Sequence, residues 1–233
     1  MKIISARQSW HDAFYTRSSS LMSNDEGGCG YHDDSAAMMH RTIAGRAQLA
    51  ISLLPDVFKR FGMIMYAPQN FIVSDDIECV VAHIDRKVQL HYAARPLSSK
   101  KSGNLSALIR AMLTKYRAVA VGGLSPFSGD DGTQSSRKLR RYLLDECGVM
   151  IPASAFSREY GHILNCIEGE IDVIDRLCLV PLSKVVRQYK LNLDESDAAN
   201  DIVSTERNWE KCFAKIKAQC LKMALDMRVQ INA

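Results

Sequence analysis

No stretch of this 233-residue chain approaches the roughly 18 apolar residues that a membrane-spanning helix requires. The N-terminal MKIISARQSWHDAF also lacks the apolar centre of a secretory signal. The seven cysteines include no CxxC pair and are odd in number, which excludes a disulfide framework and fits a reducing compartment. Several occupy apolar positions of helical seams, where a thiol behaves as a small hydrophobe. Phosphate-binding patterns are missing too: GxxxxGK[ST] does not occur and no GxGxxG opens a helix. Neither HExxH nor GxSxG is present. These absences lead to the expectation of a soluble, cytoplasmic protein that binds rather than catalyses, with no cofactor, no catalytic residue and no membrane partner.

Hydrophobic content of 47% and charged content of 24% are those of a globular protein able to bury a real core. The net charge of +4 conceals an uneven distribution. Residues 1–94 hold 9 Lys/Arg against 10 Asp/Glu, residues 95–141 hold 10 against 2, and residues 142–233 hold 11 against 14. A polyanion would feel that middle block, although two solvated helix faces would give the same arithmetic.

Within and beyond the block, residues 137–164 carry the most suggestive pattern. Arg137, Lys138, Arg140 and Arg141 lead into an apolar seam of Leu139, Leu143, Leu144 and Cys147 at helical spacing. Gly148 suits a left-handed helix terminus, and Pro152 suits the first turn of a second helix carrying Phe156, Tyr160, Ile163 and Leu164 inward. Helix, short turn and helix with basic residues leading in is the outline of a DNA-reading helix-turn-helix. The cations would hold phosphates, and Ser154, Ser157 and Arg158 would meet base edges. An ordinary αα-hairpin with a solvated face satisfies the same periodicity.

Elsewhere the periodicity is helical throughout, so the expected fold is an all-α, multi-helix protein with a helix-turn-helix unit. Asp33, Asp34 and Ser35 precede a seam from Ala36 to Leu54, and Pro55 opens a helix that Ala67-Pro68 stops. Ser74, Asp75 and Asp76 read as the cap and acidic first turn of a helix with Ile77, Val80, Val81, Ile84, Val88 and Tyr92 inward. RPLSSKKSGN, residues 95–104, reads as a basic linker, after which Asn104 caps a helix whose outer face offers Arg110, Lys115 and Arg117. An acidic stretch follows Leu164, with Glu168, Glu170, Asp172 and Asp175 outside. Val180-Pro181-Leu182-Ser183 then opens a second helix-turn-helix-like pattern bearing Lys184, Arg187 and Lys190, with Leu191 and Leu193 in its turn. The closing helix places Trp209, Phe213, Ile216, Cys220, Leu221 and Ala224 inside. These boundaries divide the chain into regions 1–94, 95–166 and 167–233. Cys29 and His32, with His11 and His40 in range, form the one plausible metal cluster, but zinc needs four ligands at matched spacings and a polar loop beside a helix cap is the simpler reading.

Two segments, GYHDDSAAMMHRTIAGRAQL (30–49) and CLKMALDMRVQ (220–230), resemble the late-gene antitermination protein Q of lambdoid phages and prophages. Asp33, Asp34, Ala36, the later Tyr66 and the MALDMR ending carry the similarity to one branch of that group; the cysteine-rich zinc motif of another branch is missing, so no metal site carries over. The resemblance implies a protein that binds a DNA element at a phage late promoter. It further implies that this protein joins the paused host RNA polymerase holoenzyme and makes it read through pauses and terminators, with double-stranded DNA and polymerase as partners. Two other classes fit the residues: a conventional helix-turn-helix transcriptional regulator, or an RNA-binding protein of a mobile element.

Overall fold

Apolar residues at helical spacing dictate what is seen in the computed structural model, which describes residues 5–19, 34–122, 125–127, 135–196 and 202–232. Those residues form helices and no strand. In chain order the helices are α1 (Ala6–Ser19), α2 (Asp34–Ser52), α3 (Asp56–Tyr66), α4 (Ser74–His91), α5 (Ser99–Gly103), α6 (Leu105–Ala120), α7 (Ser136–Cys147), α8 (Ala153–Ala155), α9 (Gly161–Ser196) and α10 (Ile202–Asn232). A π-helical turn, Phe156–Tyr160, joins α8 to α9. No described helix is long and apolar enough to cross a membrane.

The chain divides into two compact units. One comprises Met1–Gly62, Ala67–Phe71 and Leu177–Ala233; the other comprises Met63–Tyr66 and Ile72–Arg176. In the first, the Ser5 hydroxyl accepts the Gln8 amide at 3.1 Å and starts α1. Trp10 and Ala13 of α1 are fully buried, as are Ala47 and Ala50 of α2, and the three alanines let helices approach closely. Phe58 and Phe61, then Cys178, Leu182 and Val185, then Trp209, Ile216 and Cys220 complete this core from α3, α9 and α10.

In the second unit, Val80, Ile84 and Val88 of α4 and Leu105, Leu108, Ile109 and Met112 of α6 are fully buried. Leu139 and Leu143 of α7, Phe127, and Ile163, Ile167 and Ile171 of α9 join them. Each seam repeats every three or four residues, which is why the sequence already shows it.

Several local expectations are corrected. The stretch read as a linker contains α5, and Asn104 does not cap α6 through its side chain; its amide donates to the Tyr160 hydroxyl at 3.0 Å instead. Val73, not Ser74, is the capping residue of α4, without a side-chain bond, while Asp75 and Asp76 occupy the acidic first turn as expected. Leu144 and Leu221, read as inward, are 48% and 61% exposed because each lies off the seam that its neighbours bury.

The largest correction concerns residues 180–196. No second turn interrupts them: Pro181 sits inside α9, and Leu191 and Leu193 are helical. Proline removes the N–H that would bond the carbonyl of Leu177, yet the surrounding apolar side chains hold the helix together. Pro181 itself is buried, beside Leu182 and within four residues of Cys178 and Val185. Tertiary packing overrides a local breaking signal here.

Candidate nucleic-acid interface

The beginning of α7 is fixed by Ser135, whose hydroxyl accepts the Lys138 amide at 3.3 Å, and by the Ser135 amide, which donates to the Phe127 carbonyl at 2.7 Å. Its end is fixed by Gly148 at φ 65°, a left-handed conformation that glycine adopts without penalty. There the Gly148 and Val149 amides donate to the carbonyls of Leu144 and Leu143, at 3.1 and 2.9 Å. Pro152, with φ −62°, precedes α8, and its carbonyl accepts the amides of Ala155 and Phe156. Phe156, Tyr160, Ile163 and Leu164 are all buried, as their spacing predicts.

At 100° per residue, Arg137, Arg141 and Lys138 fall within an arc of about 100° on α7. All three are exposed. Arg141 also pairs with Asp145 on its own helix at 3.3 Å. Arg140 differs: it flanks Leu139 and Leu143, is half-buried, and has its Nε turned from water with no hydrogen-bond partner. Its charge adds to the local field, but its side chain is less available to a phosphate than those of its neighbours.

Past the turn, Ser154, Ser157 and Arg158 are exposed. Arg158 lies 3.2 Å from the Glu159 carboxylate, which Lys101 of α5 also approaches at 3.5 Å. The Arg158 hydrogen bond, ahead of the Lys101 charge, holds the Glu159 carboxyl below its ordinary range. An acid therefore stands beside the cation expected to reach base edges. Met150, which the sequence reading passed over, is 72% exposed in the turn itself. An apolar side chain there could touch a thymine methyl or a sugar. Its signal was visible: it stands between Val149 and Ile151 without belonging to either helical seam.

Lys184, Arg187 and Lys190 belong to the other compact unit, on the C-terminal half of α9. Arg187 and Lys190 are exposed, whereas Lys184 is half-buried and donates through Nζ to Gln219 of α10. They extend along a continuous helix and do not form the helix-turn-helix expected of them.

Three cations of the middle block that lie on α6 are spoken for within their own unit. Arg110 pairs with Glu78 of α4, Lys115 with Glu168 of α9 at 2.5 Å, and Arg117 donates to the Ile64 carbonyl. The outer face expected of α6 is thus turned toward its own unit's acceptors. Cys29 and His32 lie outside the described residues, as does the side chain of His40. Among the described residues no three His, Cys, Asp or Glu come together as a metal site. No protein-family model, curated protein or solved structure matches the chain.

Proposed function

We propose that the protein is a DNA-binding transcription antitermination factor, with α7, the 148–152 turn and the helix beginning at α8 acting as a helix-turn-helix. The observation that carries the DNA-binding part is the exposure of Arg137, Lys138 and Arg141 on one face of α7, beside a short turn followed by the exposed Ser154, Ser157 and Arg158. Cations on one face hold phosphates and set register, and short polar groups beyond the turn reach base edges. Duplex DNA suits this face better than single-stranded RNA. The aromatic of α7, Tyr142, is set edge-on against Phe127 at 5.2 Å and is not offered as a stacking platform.

The polymerase-directed part rests on the resemblance of residues 30–49 and 220–230 to the phage Q proteins. It is tested by retaining the chain on a resin and asking whether purified bacterial RNA polymerase holoenzyme binds; no retention removes this part of the proposal. The DNA part is tested by fluorescence anisotropy with duplexes of varied sequence at two salt concentrations. Arg137→Ala with Arg141→Ala should weaken binding to every duplex and reduce the slope of log K against log salt by about 1.8, the release expected for two phosphate contacts. Arg158→Ala should instead relax preference at one position. Unchanged affinity in the double variant overturns the assignment of this face.

A further inference from the structure

The outer face of α10 carries a second feature, independent of the DNA-binding reading. Trp209, Cys212, Ile216, Cys220 and Met223 face the core of their unit. Diametrically opposite, Leu221, Leu225 and Val229 are 61%, 52% and 68% exposed. Ala214 and Ala218, also exposed, extend the same line toward the N-terminus. The spacing of 214, 218, 221 and 225 alternates four, three and four residues, the repeat that seats one helix against another. Alanines at one end let a second backbone approach closely, and leucines at the other supply apolar area.

Charge selects the occupant. Lys215 and Lys222, with Asp226 beyond them, border the stripe on one side, and Lys217 and Arg228, with Glu210, on the other; all are exposed, and the cations outnumber the acids on both edges. A second copy of this helix would bring two edges together on which cations outnumber acids, leaving like charges opposed across the seam, which is destabilising. A lipid surface calls for a broad apolar face that sinks below the headgroups, whereas this strip spans only about 80° of the helix circumference. Duplex DNA would use the cations and leave the leucines in water.

We infer that this face of α10 docks an acidic amphipathic helix of a partner protein, with an apolar seam on Ala214, Ala218, Leu221, Leu225 and Val229 and Glu or Asp at its flanks opposite the lysines. The probe is a labelled synthetic helix of about three heptads with Leu in the seam and Glu at the flanking positions, compared with the same helix carrying Lys there. The full chain should bind the acidic peptide at least about tenfold more tightly than the basic one, and more weakly as salt rises. Leu221→Ser with Leu225→Ser, both at exposed positions, should abolish the binding while circular dichroism stays unchanged. Lys215→Glu with Lys222→Glu should reverse the preference between the two peptides. Arg137→Ala with Arg141→Ala should leave peptide binding intact, which separates this inference from the DNA-binding one. Equal binding of both peptides, or acidic-peptide binding that survives the leucine double variant, overturns the proposal. So does leucine-dependent co-sedimentation with phosphatidylserine vesicles or leucine-dependent dimerisation in sedimentation velocity, each of which assigns the face to a different occupant.

Discussion

Trp10 occupies the space that a side chain at Gly62 would need: a Cβ built on Gly62 falls 2.7 Å from Cε2 of the indole and closer still to Cζ2 and Cη2. Trp10 is fully buried, so the ring has no ready direction of retreat. Glycine inside a helix costs about 1 kcal/mol relative to alanine, and α3 bears that cost so that α1 can seat its tryptophan. Gly62→Ala should therefore destabilise the protein by about 1–3 kcal/mol despite its better helix propensity. Gly45 of α2 is the control, because a Cβ there meets nothing within 4 Å. Gly45→Ala should raise stability by up to about 1 kcal/mol. Thermal unfolding followed by circular dichroism decides between the signs, and a stabilised Gly62→Ala variant would contradict the packing described.

In the same unit, the Arg46 guanidinium stands 4.0 Å over the Trp209 ring, and its NH2 donates to Glu206 at 2.8 Å. The Arg46 side chain is only 18% exposed and Glu206 is 62% exposed, so the stacked contact should outweigh the ion pair. Arg46→Lys keeps the charge but loses the planar stack, and should cost about 1 kcal/mol. Glu206→Gln should cost less than about 0.5 kcal/mol. Urea denaturation of Arg46→Ala, Trp209→Leu and the double variant gives the coupling directly, and a coupling near zero removes the stack from the account.

Local chemistry made the end of α7 legible, since a glycine at positive φ leaves its mark within a few residues, whereas the Ser135 cap at its start went unread. The seams of α4 and α6 were legible for the same reason, since burial repeats with the helix. What sequence could not show is where polar groups turn. Glu168, Asp172 and Asp175 have the pattern of a solvated acidic face. Yet Glu168 accepts from Lys115, Asp172 from the Tyr116 hydroxyl and Asp175 from the Tyr66 hydroxyl, donors 53, 56 and 109 residues away. Counting cations likewise overstated the middle block, because Arg110, Lys115 and Arg117 bond to groups of their own unit. Pro181 misled in the opposite direction: a local breaker held inside a helix by packing that only the folded chain supplies.

His83 on α4 is half-buried, and burial, then the charges of Lys87 and Arg86, push its imidazole down from 6.5 to about 4. A native value below the unfolded one means that the fold favours the neutral ring. Its contribution is present above the unfolded value of about 6.5 and is lost as pH falls toward about 4. Its size is bounded by about 3 kcal/mol, at 1.36 kcal/mol per pH unit, and is smaller with partial solvent screening. His83→Gln should therefore lose less stability than the parent chain between about pH 7 and pH 4.5 in matched urea titrations. Proton NMR of the imidazole should give a midpoint well below 6; a midpoint at the ordinary value, or identical pH dependence in the two proteins, removes the effect.

The contrast between α6 and α7 separates cations that hold the fold from cations offered outward. The Lys115 side chain is 19% exposed and that of Glu168 is 32% exposed, so deleting either leaves a partly desolvated charge behind. Lys115→Ala should lower stability by about 1–2 kcal/mol, less than a fully buried pair would cost. It should not change the salt dependence of duplex binding, because its ammonium neutralises a carboxylate and not a phosphate. Arg137→Ala should do the reverse, shifting stability by less than about 0.5 kcal/mol and reducing the salt slope by about 0.9. Unfolding curves and anisotropy titrations on the same two preparations give all four numbers. If Lys115→Ala lowers the salt slope as Arg137→Ala does, the ion pair with Glu168 opens in the complex, and the docking face then extends from α7 onto α6.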